Sequence, residues 1–417
     1  MQKVAIVGTG IAGMGAAWAL KGRYALTFFE REKYIGGHTN TLTIQEGGES
    51  VYIDSAFMVY NETTYPLLTK LFKELDVQTQ ATDMSFSVQH IASGLEFCGT
   101  GFNGLFAQRK NLFNVRFWQM LLDINRFKLE SAEVLENPRF ASYSLAQYIH
   151  EKKYRSDILD KFLVPMSSAV WSTPADGMLR FPIVTLVRFF TNHCFLGLNG
   201  HLKWRTCTGG SRHYRDKLIA AVNATIHTAL PIVEIRRDDK GVVLSDATGK
   251  KYHFDKVIIA CHADEALALL GDSTPQEREL LMKFPYHNNR VTLHTDEGVM
   301  PLSRLAWSSW NYRTETSGHA STVYWMNQLQ GVSKNKNYFI SINDPGLIDP
   351  SKVIWKTMYS HPVYKVEGQL AQEQLPQLNK NGRVYFAGAY FRYGFHEDGL
   401  RSGIDAAEAL AGERLWG

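Results

Sequence analysis

The residues best able to do chemistry lie near the two ends of this 417-residue chain. Near the start, Gly8-Thr9-Gly10-Ile11-Ala12-Gly13 spells GxGxxG, and Glu30 follows about 20 residues on. In such a motif Gly8 allows the tight turn, Gly10 admits a pyrophosphate to the backbone, and Gly13 lets helix and strand pack closely. Glu30 is placed to bind ribose hydroxyls. The motif and its acid suit NAD and FAD equally. Shortly beyond Glu30 and Arg31 comes Gly36-Gly37-His38-Thr39, a glycine pair that favours FAD because it lets the chain run beside the cofactor's middle. Near the other end, Ala387-Gly388 precedes His396-Glu397-Asp398-Gly399. The chemistry implied is flavin redox, in which a substrate carbon gives up hydride and the protein adds a base or proton shuttle. No paired-carboxylate, Ser/His/Asp or metal-ligand constellation competes with it, so no metal is expected. Glu397 and Asp398 suit a helix start better than a metal site.

Stepping outward, "KVAIV" reads as a buried strand that feeds a helix through the glycine turn, so phosphates would meet the helix N-terminus. "ALTFFE" reads as a second strand ending in Glu30, and "TGGSRHYRDKLIAAV" (208–222) as a turn into a helix. "PIVEIRRDDKGVVLSDATGKKYHF" reads as strands parted by polar turns, and "DKVIIAC" (255–261) as a strand returning to the nucleotide domain. "RVYFAG" reads as a last buried strand, followed beyond His396 by an amphipathic helix. The FAD domain is therefore expected from residues 1–80, 205–265 and 375–417, and a discontinuous substrate domain from 81–204 and 266–374. No second GxGxxG is present, which argues against a separate nicotinamide domain.

Within the substrate domain, Phe113, Phe117, Met120, Leu121, Ile124 and Phe127 recur at helical spacing, with Arg109, Lys110, Arg116, Arg126 and Lys128 among them. This is either a helix packed on a core with solvated charges or a basic amphipathic surface that touches anionic lipid. "MLRFPIVTLVRFFTNHCFLGL" (178–198) is either core or the lining of an apolar pocket. "SSWNY" and "VYWMN" suit two strands facing a pocket.

Composition narrows the field. With 45% hydrophobic and 21% charged residues and a net charge of +4, the chain has the profile of a globular protein and gives no reason to expect nucleic acid. Its length suggests two domains. Four scattered cysteines, at 98, 194, 207 and 261, suggest a reducing compartment and no structural zinc. The glycines at 8, 10 and 13 break the N-terminal apolar run, so it is not read as a signal peptide, and no segment nears the roughly 20 apolar residues of a membrane span. A cytoplasmic protein is expected.

Glu30, the glycine pair and the C-terminal strand-glycine-helix together resemble the flavin-containing amine oxidoreductase superfamily. A narrower resemblance is to predicted NAD/FAD-binding proteins associated with cyclopropane-fatty-acid synthase. It is carried by "GGHTNT" (36–41), "VTLHTDEGVMPLSRLAWSSWNY" (291–312), "VYWMNQLQ" (323–330), "NYFISIN" (337–343), "SHPVY" (360–364) and "YGFHEDGLRSG" (393–403). The resemblance implies an α/β fold: an FAD-binding Rossmann-like domain of the glutathione-reductase type beside an α+β, amine-oxidase-like substrate domain. With the motif, it implies FAD contacts at Gly8, Gly10, Ile11, Ala12, Gly13, Glu30, Arg31, Gly37, His38, Thr39, Val233, Gly388, Asp398, Gly399, Leu400 and Ser402. Val233 would meet the adenine through its backbone, and backbone N–H groups at Asp398-Gly399-Leu400 would face the flavin. Ala389 and Ala56 depart from residues common in the superfamily and leave the flavin contacts open. His396 is the first catalytic candidate, either an acid/base near neutrality or a residue that orients the helix start; Tyr312, Tyr324 and Asn327 follow. The resemblance implies dehydrogenation (desaturation) or isomerisation of a fatty acyl lipid, with lipid-modifying enzymes as partners; the basic amphipathic reading around Arg109–Lys128 adds peripheral contact to the inner face of the membrane. The alternatives are a flavin amine oxidase and a flavoprotein subunit without turnover.

Overall fold

The computed structural model describes residues 1–193, 202–380 and 382–416. Cys194 and the end of the 178–198 stretch lie outside the described residues. In chain order, the elements that matter for the site are strand β1 (Lys3–Val7), helix α1 (Ile11–Leu20), strand β2 (Ala25–Phe29), helix α2 (Val115–Glu130), helix α3 (Val164–Trp171), helix α4 (Ile183–Asn192) and helix α5 (Arg212–Val222). They are followed by β3 (Thr225–His227), β4 (Lys256–Ile259), β5 (Val384–Phe386) and α6 (His396–Ala411).

The five strands form one parallel sheet in the order β3-β2-β1-β4-β5. All are short, and β1, β2, β4 and β5 are largely apolar because a parallel sheet is covered on both faces, while the edge strand β3 is exposed to half-buried. Along β1, Val4 and Ile6 join one core with Met14, Tyr214, Leu400 and Ile404, while Ala5 and Val7 join another with Ile235, Leu244 and Phe284. The chain leaves β1 for β2 on one side and pairs with β4 on the other, so the strand order reverses at the carboxyl end of β1. Ligands of open α/β sheets bind at such a crevice.

Against this lobe stands a seven-stranded sheet of residues from 86–98 and 286–362, all antiparallel except Trp310–Thr314 beside Phe86–His90. Helices α2, α3 and α4 build a separate aromatic core around Phe127, Tyr148, Trp171, Phe181 and Phe190. Two readings from the sequence are corrected here. Strand β2 stops at Phe29, so Glu30 stands just beyond it, and Phe113 precedes α2 in a 3-10 turn and is exposed instead of joining the buried stripe. Among the described residues, no helix is long and apolar enough to cross a membrane.

Candidate functional site

Gly8 turns the chain from β1 into α1 at φ +103°, a conformation that side chains disfavour, and a Cβ there would lie 2.6 Å from the carbonyl oxygen of Ala260. A Cβ on Gly13 would overlap the carbonyl of Gly8, and one on Gly37 would press on Gly10 Cα at 3.2 Å. At Gly10 the same construction meets nothing within 4 Å. The glycines thus back onto protein everywhere except at Gly10, which opens outward. Gly10 is also the N-cap of α1 and offers no side-chain cap, so the first-turn N–H groups have no partner within the helix. An anion fits there.

Thr9 and Glu30 brace this turn. Glu30 is buried, and its Oε2 accepts the Thr9 N–H at 3.0 Å and the Thr9 hydroxyl at 2.5 Å. Thr9 Oγ1 in turn accepts the Gly36 N–H at 3.0 Å, which ties the glycine pair to the glycine turn. Arg31 leans away from the sheet to pair with Glu265 at 2.5 Å. Val233 sits at a shift of register between its strand and Val242–Asp246; the bulge takes its backbone out of the ladder, where main-chain groups remain for a ligand.

The C-terminal elements close on the same spot. Ala387 N–H bonds to Ile259 O, Gly388 N–H donates to Ser402 Oγ at 2.9 Å, and Ser402 Oγ–H donates to Gly399 O at 2.8 Å. Helix α6 lies along α1 with almost no side chain between them. A Cβ on Gly399 would lie 2.7 Å from Ile11 Cγ2, one on Gly15 2.7 Å from Leu400 Cδ1, and one on Gly403 would overlap the Ala12 carbonyl. Gly399 beside Ile11 and Gly403 beside Ala12 and Ala16 mean that the helices run parallel. Their N-termini, each carrying a partial positive charge, meet at the mouth of the crevice. The helix starts earlier than the sequence suggests. His396 is its first residue, and the Gly399 N–H is spent on Phe395 O. The unpaired amides therefore belong to residues 396–398, while Gly399 and Leu400 serve the helix–helix contact.

His396 is a junction. Its ring stacks on Phe57 at 3.7 Å, and Nε2 lies 2.5 Å from Tyr214 Oη and 3.3 Å from Thr39 Oγ1. Desolvation, and secondarily His38, push its pKa down to about 3, so it is neutral rather than poised near neutrality. His38, after the glycine pair, lies among His361 (5.3 Å between ring centres), Tyr359 (4.9 Å) and His262 (6.4 Å), with Nε2 buried and without a hydrogen-bond partner. Desolvation, then His262, lower its pKa to about 4. Among the described residues no group of three or more His, Cys, Asp or Glu is set to hold a metal.

The polar groups of the other candidates bond elsewhere. Tyr312 is buried beside Ser168, and Tyr324 Oη donates to Ala169 O at 3.4 Å, so both press on α3. Asn327 clamps a loop, donating to Ser333 O and Lys336 O and accepting the Tyr338 N–H, which leaves no amide group for chemistry. Phe57, Tyr214 and the ring cluster around His38 were missed. Tyr214 recurs with Leu218 and Val222 at helical spacing and so reads as core, and only the fold brings its hydroxyl to His396.

The family model described as Flavin containing amine oxidoreductase matches residues 11–331. The chain belongs to this family. Its members bind FAD, and the chain is an FAD-dependent oxidoreductase. The open face at Gly10, the two convergent helix starts and the partnerless His38 Nε2 fit that dinucleotide. Gly10 and the first turn of α1 would hold the pyrophosphate, Glu30 the ribose, and the start of α6 the flavin. In fold the chain is similar to the CLA-producing fatty acid isomerase from P. acnes, with a TM-score of 0.69 at 13% identity over 96% of this chain and 97% of that one. It is similar too to putrescine oxidase bound to putrescine (0.69, 14%, 99% of each chain) and to cyclohexylamine oxidase from Brevibacterium oxydans IH-35A (0.67, 17%, 99% of each). No curated protein sequence matches the chain.

Proposed function

We propose that this flavoenzyme dehydrogenates or isomerises a fatty acyl chain. The observation that carries the reading is where the carboxylates go. Each buried acid beside the cradle is taken up by backbone N–H groups: Glu30 by Thr9 and Glu32, Asp54 by Ser211, Glu397 by Leu67 and Leu68, and Asp398 by Phe395. Burial also raises the pKa of Asp398 to about 7 and that of Glu397 and Asp54 above the usual range. Among the described residues, none of these four carboxylates is left to hold an ammonium group, and His38 and His396 are neutral. The wall next to the α6 start is aromatic: Phe395 stacks on Phe189 at 4.6 Å, with Trp171 at 5.9 Å. Such a surface suits a hydrocarbon chain better than a cation.

Bound FAD supplies the hydride acceptor. The protein's part is to exclude water with Phe57, Phe395 and Trp171 and to hold His396 neutral and fixed, its Nε2 hydrogen-bonded to the Tyr214 hydroxyl. The likeness in fold to a fatty acid isomerase agrees with this reading, although at 13% identity it speaks for the fold alone. The test is anaerobic titration of the holoprotein with an unsaturated fatty acid and, separately, with putrescine and cyclohexylamine. The acid is expected to bleach the flavin or to emerge with a shifted double bond by mass spectrometry. Bleaching by an amine alone would overturn the reading, and a flavin that no ligand perturbs would favour a subunit without turnover.

A further inference from the structure

Helix α2 carries two apolar faces on opposite sides. Phe117, Met120 and Phe127 are buried against the protein. Val115, Trp118, Leu122 and Leu129, spaced three, four and seven residues apart, point out, and Leu122 and Leu129 are 66% and 69% exposed. The patch continues beyond the helix. Phe113, just before it, is 89% exposed, and Phe102 reaches Trp118 through Phe106, with ring centres 4.8 and 5.4 Å apart. A helix that packs through one face has no folding reason to present a second; a contiguous exposed apolar patch marks an interaction surface.

Charge identifies the partner. Residues 101–130 carry five basic side chains and two acidic ones. Both acids are neutralised, Asp123 by Arg155 and Glu130 by Arg126. Among the described residues Lys110 and Lys128 have no carboxylate partner, and Arg109 is held only by the neutral acceptors Phe106 O and Asn103 Oδ1. Beside the patch lies a cleft of about 330 Å³ lined by Lys110, Arg116 and Lys161; Arg116 and Lys161 share the single acid Asp157, which leaves the cleft a net positive charge. Exposed Phe, Trp and Leu beside surplus cations are what an anionic bilayer surface attracts.

We propose that the outer face of α2, with Phe102 and Phe113, docks on an anionic lipid surface, with Lys110 and its cleft meeting the head groups. This complements the acyl-chain reading without resting on it, since binding is measured without turnover. In the test, purified holoprotein is floated with vesicles of phosphatidylcholine alone or mixed with phosphatidylglycerol, at low and high salt. The wild type is expected to float with the mixed vesicles and to be released by salt. Phe113→Ser with Leu122→Ser should weaken partitioning at least about tenfold, and Lys110→Glu with Lys128→Glu about twentyfold or more. Both variants should keep the flavin absorbance and thermal midpoint, because Phe113, Leu122 and Lys110 are exposed and Lys128, half-buried, has no carboxylate partner among the described residues. Failure of the wild type to float, or variants that float equally well, would overturn the proposal. So would a concentration-dependent dimer that only the Ser variant dissolves, which would assign the face to a second copy of the chain.

Discussion

Gly10 and Gly13 stand three residues apart and answer to different demands. A side chain at Gly13 meets the Gly8 carbonyl, whereas one at Gly10, whose φ of −65° suits any residue, meets open space. Gly10→Val is therefore expected to leave the apoprotein's thermal midpoint within about 0.5 kcal/mol of wild type while abolishing the flavin absorbance. Gly13→Ala should cost about 1–3 kcal/mol through overpacking. Retained yellow colour in the Gly10 variant would remove the pyrophosphate from this turn. His396 makes a parallel point. A histidine before a helix start is readable in sequence, but its neutrality comes from Phe57, Tyr214 and His38, which sequence spacing does not bring together.

At the scale of elements, the cradle depends on α1 and α6 lying almost backbone to backbone. Gly15, Gly399 and Gly403 make that approach possible, and Ser402 fastens the helix to the end of β5. Ser402→Ala would strip the buried Gly388 N–H of its acceptor, at a cost of about 1–3 kcal/mol. The urea midpoint should fall accordingly with an unchanged m-value, and the flavin should be held less tightly because the α6 start loses its anchor. An unchanged midpoint would show that Gly388 has another partner. The glycine turn, the strand before it and the helix after it were legible in the sequence, because their geometry is local. The start of α6 was misplaced by two residues, because the Asp398 carboxylate turns back to accept the Phe395 N–H and nothing in their spacing announces it.

For the molecule as a whole, the buried histidines set the response to pH. His38, His193 and His294 have their pKa lowered to about 4 and His396 to about 3, each chiefly by desolvation. The unfolded chain takes up protons at these sites below about pH 6.5 while the native state does not, so stability falls as pH falls through that window. Asp398 acts in the opposite sense. With its pKa raised to about 7, the native state holds a proton that the unfolded chain releases, so acidification favours folding at that one site. His361 and His262, also lowered by burial, add to the loss, while Glu397 and Asp54, raised by burial, oppose it; the expected net is a fall in stability between pH 7 and 5, which urea melts across that range would measure. A flat profile would mean that these histidines are hydrated.

The sequence alone determined the nucleotide fingerprint, since a GxGxxG turn and its acid act through backbone geometry written in consecutive residues, while the flavin and the pairing of the two chain ends followed from the family resemblance. Tertiary structure decided which amides stay free at α6, that His396 is neutral, that Glu30, Asp54, Glu397 and Asp398 are spent on backbone N–H groups, and that α2 shows a second apolar face. Those properties depend on desolvation and on neighbours hundreds of residues away, and a linear pattern carries neither.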